Sequence, residues 1–226
     1  MPAPTRYPYG VTNVVKESPL GMIGVPNPFK VAMYANDFHV YTAGDWTVTA
    51  TGTSPVAVTD ADGGVLTITT GAVENDGDFL ESQGESWTVE AGKKMWLLAK
   101  VRLSDATQSD FVFGLHSTST TPQVAANRFL FEKVDGSAAV YFNSDDNTND
   151  EDSATVATLV DATWVELGAY YDGKGTITLF ADGIKKATFT PTTVPTTELA
   201  LGLGFLSGAA GAKTCDFDYI LVAKER

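Results

Sequence analysis

The stretch WVELGAYYDGKGTITLFADGIKKATF, residues 164–189, holds two Asp-Gly pairs, Asp172-Gly173 and Asp182-Gly183, set between runs of alternating side chains. Gly168, Gly173 and Lys174 also stand at the spacing of a phosphate-binding loop. Such a loop needs Ser or Thr directly after its lysine, and a helix whose N-terminal amides face the anion. Here Gly175 follows Lys174 and the chain continues as TITLF, a strand pattern. The Asp-Gly pairs supply instead the positive φ angles that tight hairpin turns require. The stretch therefore predicts three successive strands of an antiparallel meander.

The same texture extends on both sides. WTVTA, VLTIT, MWLLAKVRL, DFVFGLHS, RFLFEK, AAVYFN, ELALGLGFL and CDFDYILVA are short runs bounded by Gly, Asp, Asn and Pro. In MWLLAKVRL, Met95, Leu97, Ala99, Val101 and Leu103 share one face, while Lys100 and Arg102 take the other. Period two with one polar face marks an antiparallel sheet that packs on one side. No segment sustains a helical apolar repeat. The expectation is an all-β fold, a two-sheet antiparallel jelly-roll sandwich, within a chain of 226 residues.

Residues 1–36 read differently. Six of the ten prolines, Pro2, Pro4, Pro8, Pro19, Pro26 and Pro28, fall in the first 28 residues and forbid helix or central strand there. Tyr7, Tyr9, Val11, Val14, Val15, Leu20, Met22, Ile23 and Phe29 punctuate it. An extended arm cannot bury such side chains by itself, so it is expected along a surface, its own domain's or a neighbour's. A frayed leader is the alternative. The expected division is an arm over 1–36 and a jelly roll over 37–226.

Composition narrows the function. Acids outnumber Lys and Arg by 28 to 15, a formal charge of −13. Phosphate backbones are gripped by clustered bases, so no nucleic-acid partner is expected. No run of 18 apolar residues exists to cross a membrane, and no signal peptide is seen, which implies synthesis in a cytoplasm. Cys215 is the single cysteine and can form no intrachain disulfide. It is read as a small buried hydrophobe on the final strand.

The quoted meander resembles the Trp, Tyr-Asp-Gly and Asp-Gly signature of laminin-G-like and concanavalin A-like jelly rolls. FDYILVAKER at 217–226 looks like the last strand of that fold, and DFHVYTAGDWTVTATGT at 37–53 like its opening strands. The whole chain is similar to structural proteins of tailed bacteriophages, with MPAPTRYP and VTNV early, DATQSD before a central strand, and DYI followed by AKER at the end. The resemblance implies a virion protein of the head decoration or cement type. It would be a homotrimer bound non-covalently to the major capsid protein, on the capsid surface.

Catalysis is not expected. Glucanases of the concanavalin A-like group carry Glu-x-Asp-x-x-Glu on one strand, so that acid and nucleophile flank one glycosidic bond. The nearest string here runs Glu74, Asn75, Asp76, Gly77, Asp78, Phe79 and is read as a solvated turn. His39 and His116 lack a nucleophile or ligand partner at a recognised spacing, and His116 reads as a strand-edge polar residue. SDDNTNDEDS, residues 144–153, sets Asp145, Asn147 and Asn149 at calcium-loop spacing. It lacks the loop's glycine and terminal glutamate, so a solvated hairpin tip is preferred. No cofactor or metal is expected.

One strand stands out. In ELALGLGFL, Leu199, Leu201, Leu203 and Phe205 alternate with Ala200, Gly202 and Gly204. A face without side chains either admits a close partner (a second chain, the arm or a flat sugar) or relieves curvature. The expected partner contacts are Tyr7, Tyr9, Val14, Val15, Leu20, Met22, Ile23, Phe29, Gly202 and Gly204. A carbohydrate-binding module is the alternative function, with Trp46, Trp87 or Trp96 as exposed aromatic platforms.

Overall fold

The computed structural model describes residues 30–59, 63–147 and 152–226. Strands β1 (Val31–Asn36), β3 (Val56–Thr59), β4 (Val65–Thr69), β6 (Met95–Leu103), β11 (Val165–Tyr171), β12 (Ile177–Ala181), β13 (Ile184–Phe189) and β15 (Thr214–Glu225) form one sheet. Its order is β13-β12-β11-β6-β15-β4-β3, with β1 also on β15. The other sheet comprises β2 (Trp46–Thr51), β5 (Gly77–Ser82), β7 (Ser109–His116), β8 (Asn127–Lys133), β9 (Ala139–Asp146), β10 (Asp152–Thr158) and β14 (Ala200–Ser207). Its order is β10-β9-β8-β7-β14-β5-β2. Every pairing is antiparallel. Two faces pack over one core, so the fold is the all-β sandwich that the alternation requires.

The meander of residues 164–189 is β11, β12 and β13. Asp182 and Gly183 both have positive φ, 51° and 70°, as a two-residue hairpin turn demands. At the other corner the Asp172 carboxylate accepts the backbone N–H groups of Lys174 and Thr176, at 2.7 and 3.0 Å.

Met95, Leu97, Ala99, Val101 and Leu103 point inward from β6 and meet Phe111, Phe113, Phe129, Phe131, Phe142 and Phe205 from the opposite sheet. Phe142 stands edge-on to both Phe129 and Phe131, each at 4.9 Å between centroids. Such pairs contribute about 0.5–1.5 kcal/mol beyond their burial. Cys215 lies in this core, fully buried.

Two expectations need correction. Residues 31–36, assigned to the arm, are strand β1, paired from Val31↔Glu225 to Asn36↔Ile220. The reason lies in β15. On the edge away from β6 its first half pairs with the short β4 only as far as Phe217, and the same edge from Ile220 to Glu225 takes β1. The other concerns the string Glu74–Phe79, read as a solvated turn, whose second half from Gly77 opens strand β5. Asp78 there is buried and accepts the Ser54 hydroxyl at 2.6 Å, and burial pushes its carboxyl above the usual range. Asp76 accepts the Val73 N–H at the turn, and Glu74 alone of the three is exposed.

Candidate functional site

The outward face of the second sheet carries the glycines singled out in the sequence. Gly202 on β14 lies between Glu81 of β5 and Gly114 of β7, and Gly204 between Phe79 and Val112. A Cβ at Gly202 would stand 2.1 Å from Nε2 of His116, and one at Gly204 2.1 Å from the Phe79 ring. The bare strand face thus makes room for two side chains of its own sheet. His116, read as an edge residue, is 1% exposed and packed over that strand.

Polar groups gather around His116. Its Nδ1 lies 3.0 Å from the Ser117 carbonyl, which assigns the ring proton to Nδ1. Nδ1 is also 3.6 Å from a Glu81 carboxylate oxygen. Nε2, a lone-pair acceptor in that tautomer, is buried without a partner. Burial lowers the imidazole's pKa, against the opposing pull of the Ser117 carbonyl, Glu81 and Glu85. The ring is therefore neutral at pH 7. Two further strands add Arg128, paired with Asp145 at 2.7 Å, and Asn143, whose amide donates to Glu132. Pairing His116↔Arg128↔Asp145 and Leu130↔Asn143 sets these groups on the same face. Three carboxylates, Glu81, Glu132 and Asp145, thus reach one face from three strands.

The sequence signal for this face was polar residues at alternate positions of consecutive strands: Arg128 and Glu132, then Asn143 and Asp145. Each strand carries too few to form a motif, and only the register assembles them. Asp145 also changes the reading of the acidic loop. It is a buried partner of Arg128, and it accepts the Asn147 N–H at 3.0 Å. Asn149 lies outside the described residues.

A second feature opens where the two sheets part at one edge. Tyr34 on β1, Trp46 on β2, and Trp87, whose backbone bridges to Leu199, wall a cleft of about 520 Å³. Gly44, Asp45, Ser82, Gln83 and Ser86 complete its lining with Leu201. Tyr34 and Trp46 meet edge to face, 6.4 Å between centroids. The Gln83 N–H donates to the Asp45 carbonyl at 3.2 Å, and Ser86 N–H to Leu199 at 2.9 Å, fixing the rim. Trp46 and Trp87, two of the three expected platforms, come together here as walls rather than exposed plates. Trp96 is apart, on the outward face of the first sheet, packed with Tyr170 at 5.5 Å.

On that same sheet, Lys100 and Arg102 stand over the Trp164 ring at 5.4 and 4.7 Å. They also pair with Asp218 and Asp216. Tyr7, Tyr9, Val14, Val15, Leu20, Met22, Ile23 and Phe29 lie outside the described residues. Their root is described: Arg226 donates its N–H to the Lys30 carbonyl at 3.0 Å and its Nε to that of Val31 at 3.2 Å.

No family model and no curated protein matches the chain. Solved structures share its fold. The endo-1,3-beta-glucanase of Streptomyces sioyaensis is 13% identical with a TM-score of 0.61, covering 89% of this chain and 99% of the glucanase. The Bacillus licheniformis beta-glucanase is 15% identical at 0.57, covering 84% and 97%. A carbohydrate esterase of the Shiga toxin-encoding bacteriophage phi24B is 18% identical at 0.52, covering 80% and 90%. At these identities the likeness is one of fold. It does correct the expectation that catalysis is excluded. The frame is shared with glucanases, and a missing single-strand Glu-x-Asp-x-x-Glu does not close it to chemistry when carboxylates converge from separate strands.

Proposed function

We propose that this chain is a structural virion protein of a tailed bacteriophage, bound non-covalently to the major capsid protein as a homotrimer on the capsid surface. The observation that carries the reading is the root of the arm. A Pro-rich segment dense in apolar side chains continues directly into β1, which is stitched through six residue pairs to β15. Force along the arm would load that ladder in shear, across all its hydrogen bonds together. A rigid sandwich with one firmly rooted apolar arm suits attachment to a larger surface. The acidity of the chain fits a place away from packaged nucleic acid. A jelly roll in a phage-encoded esterase is compatible with that setting.

Attachment is tested with purified heads lacking the protein. The full chain should bind saturably at a fixed ratio to the major capsid protein and sediment as a trimer. A chain lacking residues 1–29 should keep its β circular dichroism and lose binding. Equal binding by the shortened chain removes the arm from the account, and failure of the full chain to bind heads overturns the proposal.

A further inference from the structure

We propose that residues 19–29 of the chain's own arm dock across the outward face of the first sheet, over Trp96, Tyr170 and Phe180. The inference needs no capsid, and it leaves residues 1–18 for attachment to one.

The face is set by register. Met33, Ala223, Trp96 and Tyr170 stand side by side on β1, β15, β6 and β11. Leu98, Gly168 and Phe180 form the next row. Val31, Trp96, Tyr170, Phe180 and Ala223 make an apolar cluster separate from the sandwich core. Of the partly buried apolar side chains among the described residues, only Leu221 packs against it. Trp96 is nevertheless 3% exposed and Tyr170 7%. An apolar sheet face must bury itself against another layer, and the second sheet is spent on the opposite face.

Three observations point to the arm as that layer. The first is position. Val31, where β1 begins, belongs to the cluster, and Lys30 before it accepts the Arg226 N–H at the strand ends beside Trp96. The second is reach. From β1 to β12 the face crosses four inter-strand spacings of about 4.8 Å, about 19 Å in all, whereas residues 19–29 in extended form span about 34 Å.

The third is chemistry. Trp96 Nε1 is buried without a hydrogen-bond partner, and an indole N–H can only donate. Trp96 and Tyr170, 5.5 Å apart and inclined at 45°, form an aromatic wall beside that donor. The arm segment reads PLGMIGVPNPF, in which Pro26 and Pro28 bias Val25 and Asn27 to extended backbone. Extended proline-rich backbone makes no internal hydrogen bonds and docks on aromatic-lined grooves. Its carbonyls are free for the indole, and Leu20, Met22, Ile23, Val25 and Phe29 supply apolar contacts.

The test is NMR of the full chain without heads, so its outcome is read separately from that of capsid attachment. Trp96→Phe assigns the indole signal. The Trp96 ring should show NOEs to methyl groups of Leu20, Met22, Ile23 or Val25. Its N–H should exchange with solvent at least about ten-fold faster in a chain lacking residues 1–29, and at the parent rate in one lacking only 1–18. Should the longer deletion fail to fold, Met22→Asp with Ile23→Asp in the full chain should give the same gain. A mixture of labelled and unlabelled chains should show the NOEs to be within one chain. Absence of NOEs to residues 19–29 overturns the docking. So does parent exchange in the arm variants, or contact found only between chains.

Discussion

Replacing Gly202 by alanine isolates the packing of His116 from every other feature of the polar face. The new Cβ would lie 2.1 Å from Nε2 and 2.8 Å from Cδ2 of that ring, where non-bonded atoms rest near 3.5 Å or beyond. Gly202 has no positive φ, so the backbone itself accepts alanine, and the cost is steric. Overpacking of a filled site costs about 1–3 kcal/mol. The imidazole cannot swing away freely, because its Nδ1–H is held by the Ser117 carbonyl, and that bond is worth about 0.5–1.5 kcal/mol net. Against these stands about 0.4–1 kcal/mol gained by stiffening the unfolded chain. The net loss should be about 1–3 kcal/mol, a sizeable share of the roughly 5–15 kcal/mol that holds a domain together. Urea unfolding followed by circular dichroism reads it as a lower midpoint at unchanged slope. In the double variant with His116→Ala, most of the steric loss should vanish, so the double change costs less than the sum of the singles. A Gly202→Ala protein within about 0.5 kcal/mol of the parent refutes the packing, as does strict additivity in the double variant.

Asp78→Asn should stabilise the domain at pH 7, since burial raises the carboxyl's pKa and charging it in place is costly. The folded state holds this proton more tightly than the unfolded, so the advantage of the amide should shrink as pH falls toward the unfolded value near 4. Thermal melts at pH 7 and pH 4.5 decide it, and a less stable amide at pH 7 contradicts the reasoning. His116 has the opposite leaning: its folded pKa is lowered, so stability present above about pH 6.5 is lost as pH falls below it. His116→Gln should flatten the loss of stability between pH 7 and 5, and an unchanged slope would show that the imidazole charges as easily when folded. Arg128→Ala strands the buried Asp145 carboxylate and should cost about 3–5 kcal/mol in urea unfolding. A loss below 1 kcal/mol would mean that water reaches the pair.

The strands were legible because core side chains recur at every second residue: β6, β11 and β12 do so, and both Asp-Gly turns fall between such runs. β5 and β1 were not. In β5 the acids preceding it, with Asp78 itself, mask the pattern, and a buried aspartate is indistinguishable from an exposed one until its hydroxyl partner at Ser54, far earlier in the chain, is known. β1 pairs where β15 runs on past the short β4, a condition set by a segment nearly the whole chain away. Gly202 and Gly204 were read as a face open to a partner or curved by glycine, and the side chains over it come from β7 and β5, because sequence does not state register. The cleft was half visible. Trp46 and Trp87 could be named, yet nothing in their order brings them to one edge while sending Trp96 to the outer face of the other sheet.

The measurement nearest the proposed attachment is quantitative mass spectrometry of tailed-phage heads assembled in the presence of this chain and purified through a density gradient and a salt wash. Capsid attachment predicts a fixed whole-number ratio between this protein and the major capsid protein across preparations, with none in the soluble fraction beyond the unassembled excess. Its absence from heads, or a ratio that varies freely from one preparation to the next, would contradict the account.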